Sequence, residues 1–121
     1  MRNVLVVALY VLTPSEAAGA ARILVVAPAQ DTVRVEANER AAVVVDLLKR
    51  RGADAEGRVG DGNPLQSIAD ALETFPADEI VIAIPPQIPR RRADELLEAV
   101  RHRFALPVRR ATAAEPLPYA A

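Results

Sequence analysis

No cysteine occurs among the 121 residues, which excludes disulfides, thiolate catalysis and cysteine-ligated metal centres. The same absence leaves the redox compartment open. Histidine is almost missing: His102 is the lone imidazole, so one chain cannot build a His-rich metal centre. Aromatic residues make up 3% of the chain, and Val, Ile, Leu and Ala must fill the core instead. That mix suits buried parallel strands covered by alanine-rich helices. Neither sign of charge prevails. A net charge of −1 gives the molecule no overall field to draw nucleic acid or an anionic membrane. Long apolar runs are missing as well: Val4–Leu12 is nine residues, too short to span a bilayer. With Arg2 before it and "AAGAA" after it, this run imitates a secretory signal, but one arginine makes a thin charged region. The expectation is a cytoplasmic protein without a resident cofactor or metal.

What is present reads as one domain over residues 1–121, long enough for a real core, with a loosely held tail at 113–121. Val4–Leu12 and Ile23–Ala27 show little alternation, as strands buried on both faces do. Between them, Thr13 can cap a helix, Pro14 can start it and Glu16 can close a capping box, although the helix is barely two turns long. Ala37, Ala41, Val44, Val45 and Leu48 mark one face of a second helix, which Gly52 stops. "ADAEGRVG" reads as a polar edge strand. Leu65, Ile68, Ala69, Leu72 and Phe75 then mark a third helix, with Asn63 as N-cap, Pro64 as first residue and Pro76 beyond its end.

"DEIVIAI" is a deeply buried strand, and Pro85, Pro86 and Pro89 force a loop after it. Ala93, Leu96, Leu97, Val100 and Phe104 mark the last helix, and "LPVRRAT" the last strand. Alternating strands and helices predict a parallel α/β sheet covered on both faces by right-handed crossovers. Ligands of such sheets bind beyond the carboxyl ends of the strands, where strand order reverses. The short first crossover would leave one sheet face open there, or an apolar patch for a second subunit to cover.

The run "GDGNPLQSIADALETFPADEIVIAI" resembles the universal stress protein domain, in an actinobacterial-type branch. The family pattern of a G-D-P turn, a helix and an A-D-x-I-V-I strand falls on Gly60, Asp61, Pro64, Ile68, Ala71 or Leu72, Ala77, Asp78 and Ile80–Ile82, with one extra residue before Pro64. The resemblance implies a three-layer α/β fold with five parallel strands in the order 3-2-1-4-5. It also implies a homodimer paired along the last strand, at Val108, Arg109 and Arg110. ATP-binding members carry an acid after the first strand, where this chain has Leu9 and Tyr10. They also carry a glycine motif after the fourth strand, where this chain has "PPQIPRRRADELLEAV" without a glycine. Only residues lacking Cβ let the backbone cradle a phosphate closely. ATP or AMP binding by the usual motif is therefore not expected.

Two clusters remain as candidate sites. Asp61 could meet a ribose hydroxyl while the helix after Asn63 faces an anion, or these residues could simply make a turn and a cap. Arg90, Arg91 and Arg92 could hold a phosphate at the start of the last helix, or form a solvated face pairing with Asp94 and Glu95. His102 is expected to face solvent, and neither Ser15 nor Ser67 lies in a nucleophile elbow. The sequence thus points to a non-enzymatic, stress-associated or regulatory binding module. The alternative is a protein that binds an adenine nucleotide or another phosphorylated small molecule through the arginine cluster. An enzyme of the broader nucleotide α-hydrolase-like class stands third, on fold analogy alone.

Overall fold

The computed structural model describes residues 2–112. Its strands are β1 (Asn3–Ala8), β2 (Arg22–Pro28), β3 (Ala55–Gly60), β4 (Glu79–Ala83) and β5 (Val108–Arg110). Its α-helices are α1 (Arg34–Arg50), α2 (Pro64–Thr74) and α3 (Arg90–Phe104). All four strand pairings are parallel, and the five-stranded sheet has the order 3-2-1-4-5. This is the predicted architecture. The tail at 113–121 lies outside the described residues. No helix among the described residues is long and apolar enough to cross a membrane.

Strand alternation sorts the core into two layers of different grain. Leu5, Leu24, Ile80 and Ile82 face α2 and α3, where Ile68, Leu97 and Val100, with Phe75 just past the end of α2, complete a bulky layer. Val4, Val6, Ala8, Val25, Ala27, Val81 and Ala83 face the other side, with Ala37, Ala41, Val44 and Leu48 of α1. That second layer is thin because its residues are small. A backbone can lie almost directly on such a surface, and between β1 and β2 one does.

The first crossover is not a short helix. It is an extended segment with a single 3₁₀ turn at Ser15–Ala17. Pro14, rather than Thr13, holds the cap position, and no side chain caps the turn. The Glu16 carboxylate leaves the expected capping box to accept from Thr112 at the end of the sheet, with N–H distances of 3.1 and 3.2 Å and a hydroxyl distance of 2.9 Å. Ser15 N–H donates to the Thr112 carbonyl at 3.1 Å, and the two hydroxyls lie 2.7 Å apart. The Arg2 guanidinium donates to the carbonyls of Glu16 and Ala18, and Ala21 N–H returns to the Arg2 carbonyl at 2.7 Å. The segment is hung from both ends of the sheet. It leaves no open apolar patch on the strands beneath, for Val81 and Ala83 are fully buried and Ala17 nearly so.

Arg2 also reaches Glu79, the one buried acid among the described residues, at the start of β4. Arg109 of β5 pairs with Glu79 Oε2 at 3.0 Å, and Arg2 Nε approaches Oε1 at 3.7 Å. Oε1 has no hydrogen bond from a described residue, so the carboxylate depends on its two arginines.

Candidate functional site

Strand order reverses between β1 and β4, and there a ligand site would be sought. Several backbone groups at this rim already have partners. Leu9 N–H donates to the Ala83 carbonyl at 3.1 Å, which extends the β1–β4 ladder beyond Ala8. Arg110 reaches the carbonyls of Ile84 and Pro85 at 3.4 and 3.5 Å. From α1, the half-buried Arg40 donates through Nε to the Ala8 carbonyl at 2.7 Å and through Nη2 to the Pro28 carbonyl at 3.1 Å. One guanidinium therefore bridges the carboxyl ends of β1 and β2. Hydrogen bonds to charged groups contribute about 1.5–3 kcal/mol, so this clamp is not given up cheaply. Arg40 escapes a reading of the sequence because it only flanks the buried stripe of Ala37, Ala41 and Val44; its carbonyl partners are distant in the chain.

The loop after β3 is a turn followed by a helix cap. Asp61 Oδ1 accepts from Asn63 N–H at 2.8 Å, and Asn63 Oδ1 accepts from Leu65 and Gln66 N–H at 2.9 and 3.4 Å. Ser67, buried within α2, donates its hydroxyl to the Asp61 carbonyl. Asp61 and Asn63 thus hold one another and the helix start. A cavity of about 420 Å³ opens beside them, lined by Gln30, Asp31, Arg34, Asp61 and Asn63. A neighbouring one of about 290 Å³ is lined by Arg34, Arg58, Asp61 and Asp70. Both mix the two signs of charge, so neither builds the positive potential that concentrates a polyanion.

Arg90, Arg91 and Arg92 are the first three residues of α3, and all are exposed. Successive helix residues are turned by about 100°, so three in a row fan around the axis rather than converge. Arg91 pairs along the helix with Glu95 at 3.4 Å. Arg90 and Arg91 border a shallow outer groove with Asp94, Glu95, Glu98 and His102, where carboxylates offset the arginines. His102 is exposed, as its position on the helix implied. Ser15 and Ser67 spend their hydroxyls on Thr112 and Asp61. No group of three potential metal ligands occurs among the described residues.

At the sheet edge, Val108, Arg109 and Arg110 have separate tasks. Pro107 and Ala111 bond toward β4, and Arg109 lies opposite Val81 in that ladder. The backbone groups of Val108 and Arg110 therefore face the open edge. Arg101 of α3 covers part of it, donating to the Val108 carbonyl through Nε at 3.1 Å and Nη2 at 2.9 Å. A side chain capping an edge carbonyl blunts the strand against unwanted pairing.

No protein-family model matches the chain, and no curated protein matches its sequence. What stands of the resemblance is the sheet. Five parallel strands in the order 3-2-1-4-5 are common ground for Rossmann-like and universal stress protein-like folds.

Proposed function

We propose that this chain is a universal stress protein-like binding module without catalytic activity, acting in a stress response or in regulation. The observation that carries the reading is the self-satisfied rim at the β1–β4 reversal. Arg40 and Arg110 direct guanidinium donors there to the protein's own carbonyls, and no glycine-rich cradle follows β4. Thermal unfolding against ATP, ADP, AMP, cyclic nucleotides and inorganic phosphate tests it. The expected result is an unchanged Tm with each. A ligand at 100 times its Kd would add about 2.7 kcal/mol, a rise of roughly 5 °C or more.

Such a rise would favour a second reading, an adenine nucleotide or other phosphorylated small molecule held at Arg90–Arg92. That reading is supported by Arg90 and Arg92, which have no ion-pair or hydrogen-bond partner among the described residues. Arg90→Ala with Arg91→Ala would then abolish the shift and leave the fold intact; a shift that survived would place the ligand elsewhere.

The proposed partner is a second copy, added strand to strand along β5. Arg101 stands in the way and must leave the Val108 carbonyl for the strands to pair. Arg101→Ala is accordingly expected to increase the dimer fraction in sedimentation, and Val108→Pro to decrease it. Val108 N–H faces the open edge, so proline there removes an intermolecular donor and spares the β4–β5 ladder. Masses unchanged by both substitutions would rule out this edge as the interface.

A further inference from the structure

The two edges of the sheet are finished differently. At β5, Arg101 covers the outward Val108 carbonyl, whereas no side chain among the described residues bonds the backbone of β3. Ile23 N–H donates to the Asp54 carbonyl at 2.9 Å, and Ala29 N–H to the Gly60 carbonyl at 3.2 Å. In a parallel ladder alternate residues bond the neighbour, so Glu56, Arg58 and Gly60 turn their backbone groups toward β2. Gly57 and Val59 turn theirs outward. Ala55 shares that phase but is buried, so the open stretch centres on Gly57, which is exposed. Along this edge α1 presents a small apolar stripe. Val35 and Asn38 border a cavity with Val59, and Val45 lies where a Cβ on Gly57 would reach. Val35, Asn38, Ala42 and Val45 fall on one face of the helix. Val35 is 74% exposed, the most of any large hydrophobic among the described residues.

We propose that β3 pairs antiparallel with β3 of a second copy, about a two-fold axis at Gly57. The strand is self-complementary in that register. Gly57 meets its own copy and exchanges both backbone bonds with it, while residues 56 and 58 fall opposite each other. Glu56 of each subunit then faces Arg58 of the other, at non-hydrogen-bonded positions, where side chains approach most closely. A slip of two residues either way sets Glu56 against Glu56 or Arg58 against Arg58, and like charges so placed repel. The charges therefore choose the register. Within one subunit the two side chains lie 4.0 Å apart, and Arg58 donates to Thr74 Oγ1 at 3.3 Å; both contacts are long and exposed, so they exchange readily. An axis normal to the sheet keeps both α1 helices on one face, and their apolar stripes meet beside the paired strands. This surface is separate from the β5 edge, at the other end of the sheet.

Sedimentation of the Val108→Pro protein isolates this interface, because that substitution removes the outward donor of β5. The expected result is a concentration-dependent dimer. Arg58→Glu or Glu56→Arg, each added alone, sets like charges opposite at both positions and should weaken the dimer on the order of tenfold or more. An equimolar mixture of the two restores both opposite-charge pairs and should recover the dimer. A monomer at every concentration, a dimer indifferent to both substitutions, or a mixture that stays monomeric overturns the proposal. Cysteine gives a check that leaves the β5 edge intact, since the chain has none of its own. Mixed under mild oxidation, the Glu56→Cys and Arg58→Cys proteins should cross-link several-fold faster than either alone, because the paired Cα atoms would stand about 4.5 Å apart. Equal rates in the mixture and in the separate proteins overturn the pairing as well.

Discussion

Replacing Arg2 and Arg109 together by methionine is expected to cost about 3–5 kcal/mol, and to cost more than Glu79→Gln. The order follows from where each charge sits. The Glu79 side chain is 9% exposed, whereas those of Arg2 and Arg109 are 43% and 55% exposed. Remove the acid, and both guanidiniums turn to water. Remove the arginines, and a carboxylate stays buried with nothing to replace its hydration. Methionine keeps much of the aliphatic stem, so lost packing contributes little. Urea unfolding of the two proteins measures the comparison, and a loss for Glu79→Gln that matches the double variant would refute the reasoning. Arg2 adds a second effect through its bonds to the carbonyls of Glu16 and Ala18. Its loss frees the amino-terminal anchor of the first crossover.

Gly60→Val is expected to destabilise by about 2–4 kcal/mol, combining overpacking with a lost buried hydrogen bond. A Cβ at this position would stand 2.7 Å from Ser67 Oγ and 2.9 Å from Val26 Cγ1. Neither neighbour has room, since Ser67 and Val26 are each 1% exposed. Either α2 lifts from the sheet, or Ser67 turns and releases the Asp61 carbonyl. Both outcomes loosen the loop after β3. Chemical denaturation gives the magnitude, and a loss below about 1 kcal/mol would mean that α2 yields without resistance.

Most of the fold was legible because its signals are local. Asn63 and Pro64 specify a helix start within four residues, and Asn63 caps α2 as that chemistry requires. Gly52 follows α1 with φ +86°, the left-handed conformation its place after the helix implied. The first crossover misled for the opposite reason. Thr13, Pro14 and Glu16 spell a helix start, but Glu16 finds its partner in Thr112, ninety-six residues away. No local reading can foresee that bond. The apolar run predicts β1 to Leu12; the strand ends at Ala8, opposite Ala83, where β4 ends too.

The candidate site was less legible than the fold. Placing Arg90–Arg92 at a helix start is a question of sequence, but convergence of three guanidiniums is a question of helical phase, and their phase fans them outward. Asn63 caps α2 as its place before Pro64 predicts, and Asp61 holds the turn before it by accepting from Asn63 N–H. Arg40 and Glu79 carry no local signal, one beside an apolar stripe and the other at the head of an apolar strand. Their importance lies in partners that only the folded sheet brings near.

The central strand also has a history in time. Val4 pairs with Ile23 on one side, 19 residues onward (23 − 4), and with Glu79 on the other, 75 residues onward (79 − 4). Closing the longer loop costs about 1.2 kcal/mol more in chain entropy, and a chain emerging from the ribosome must also wait for its second half. In that interval β1, β2 and β3 can assemble while the apolar flank of β1 has no neighbour. The central strand of the finished protein is thus, during synthesis, an adhesive edge, and the delivery of β4 sets how long it stays so.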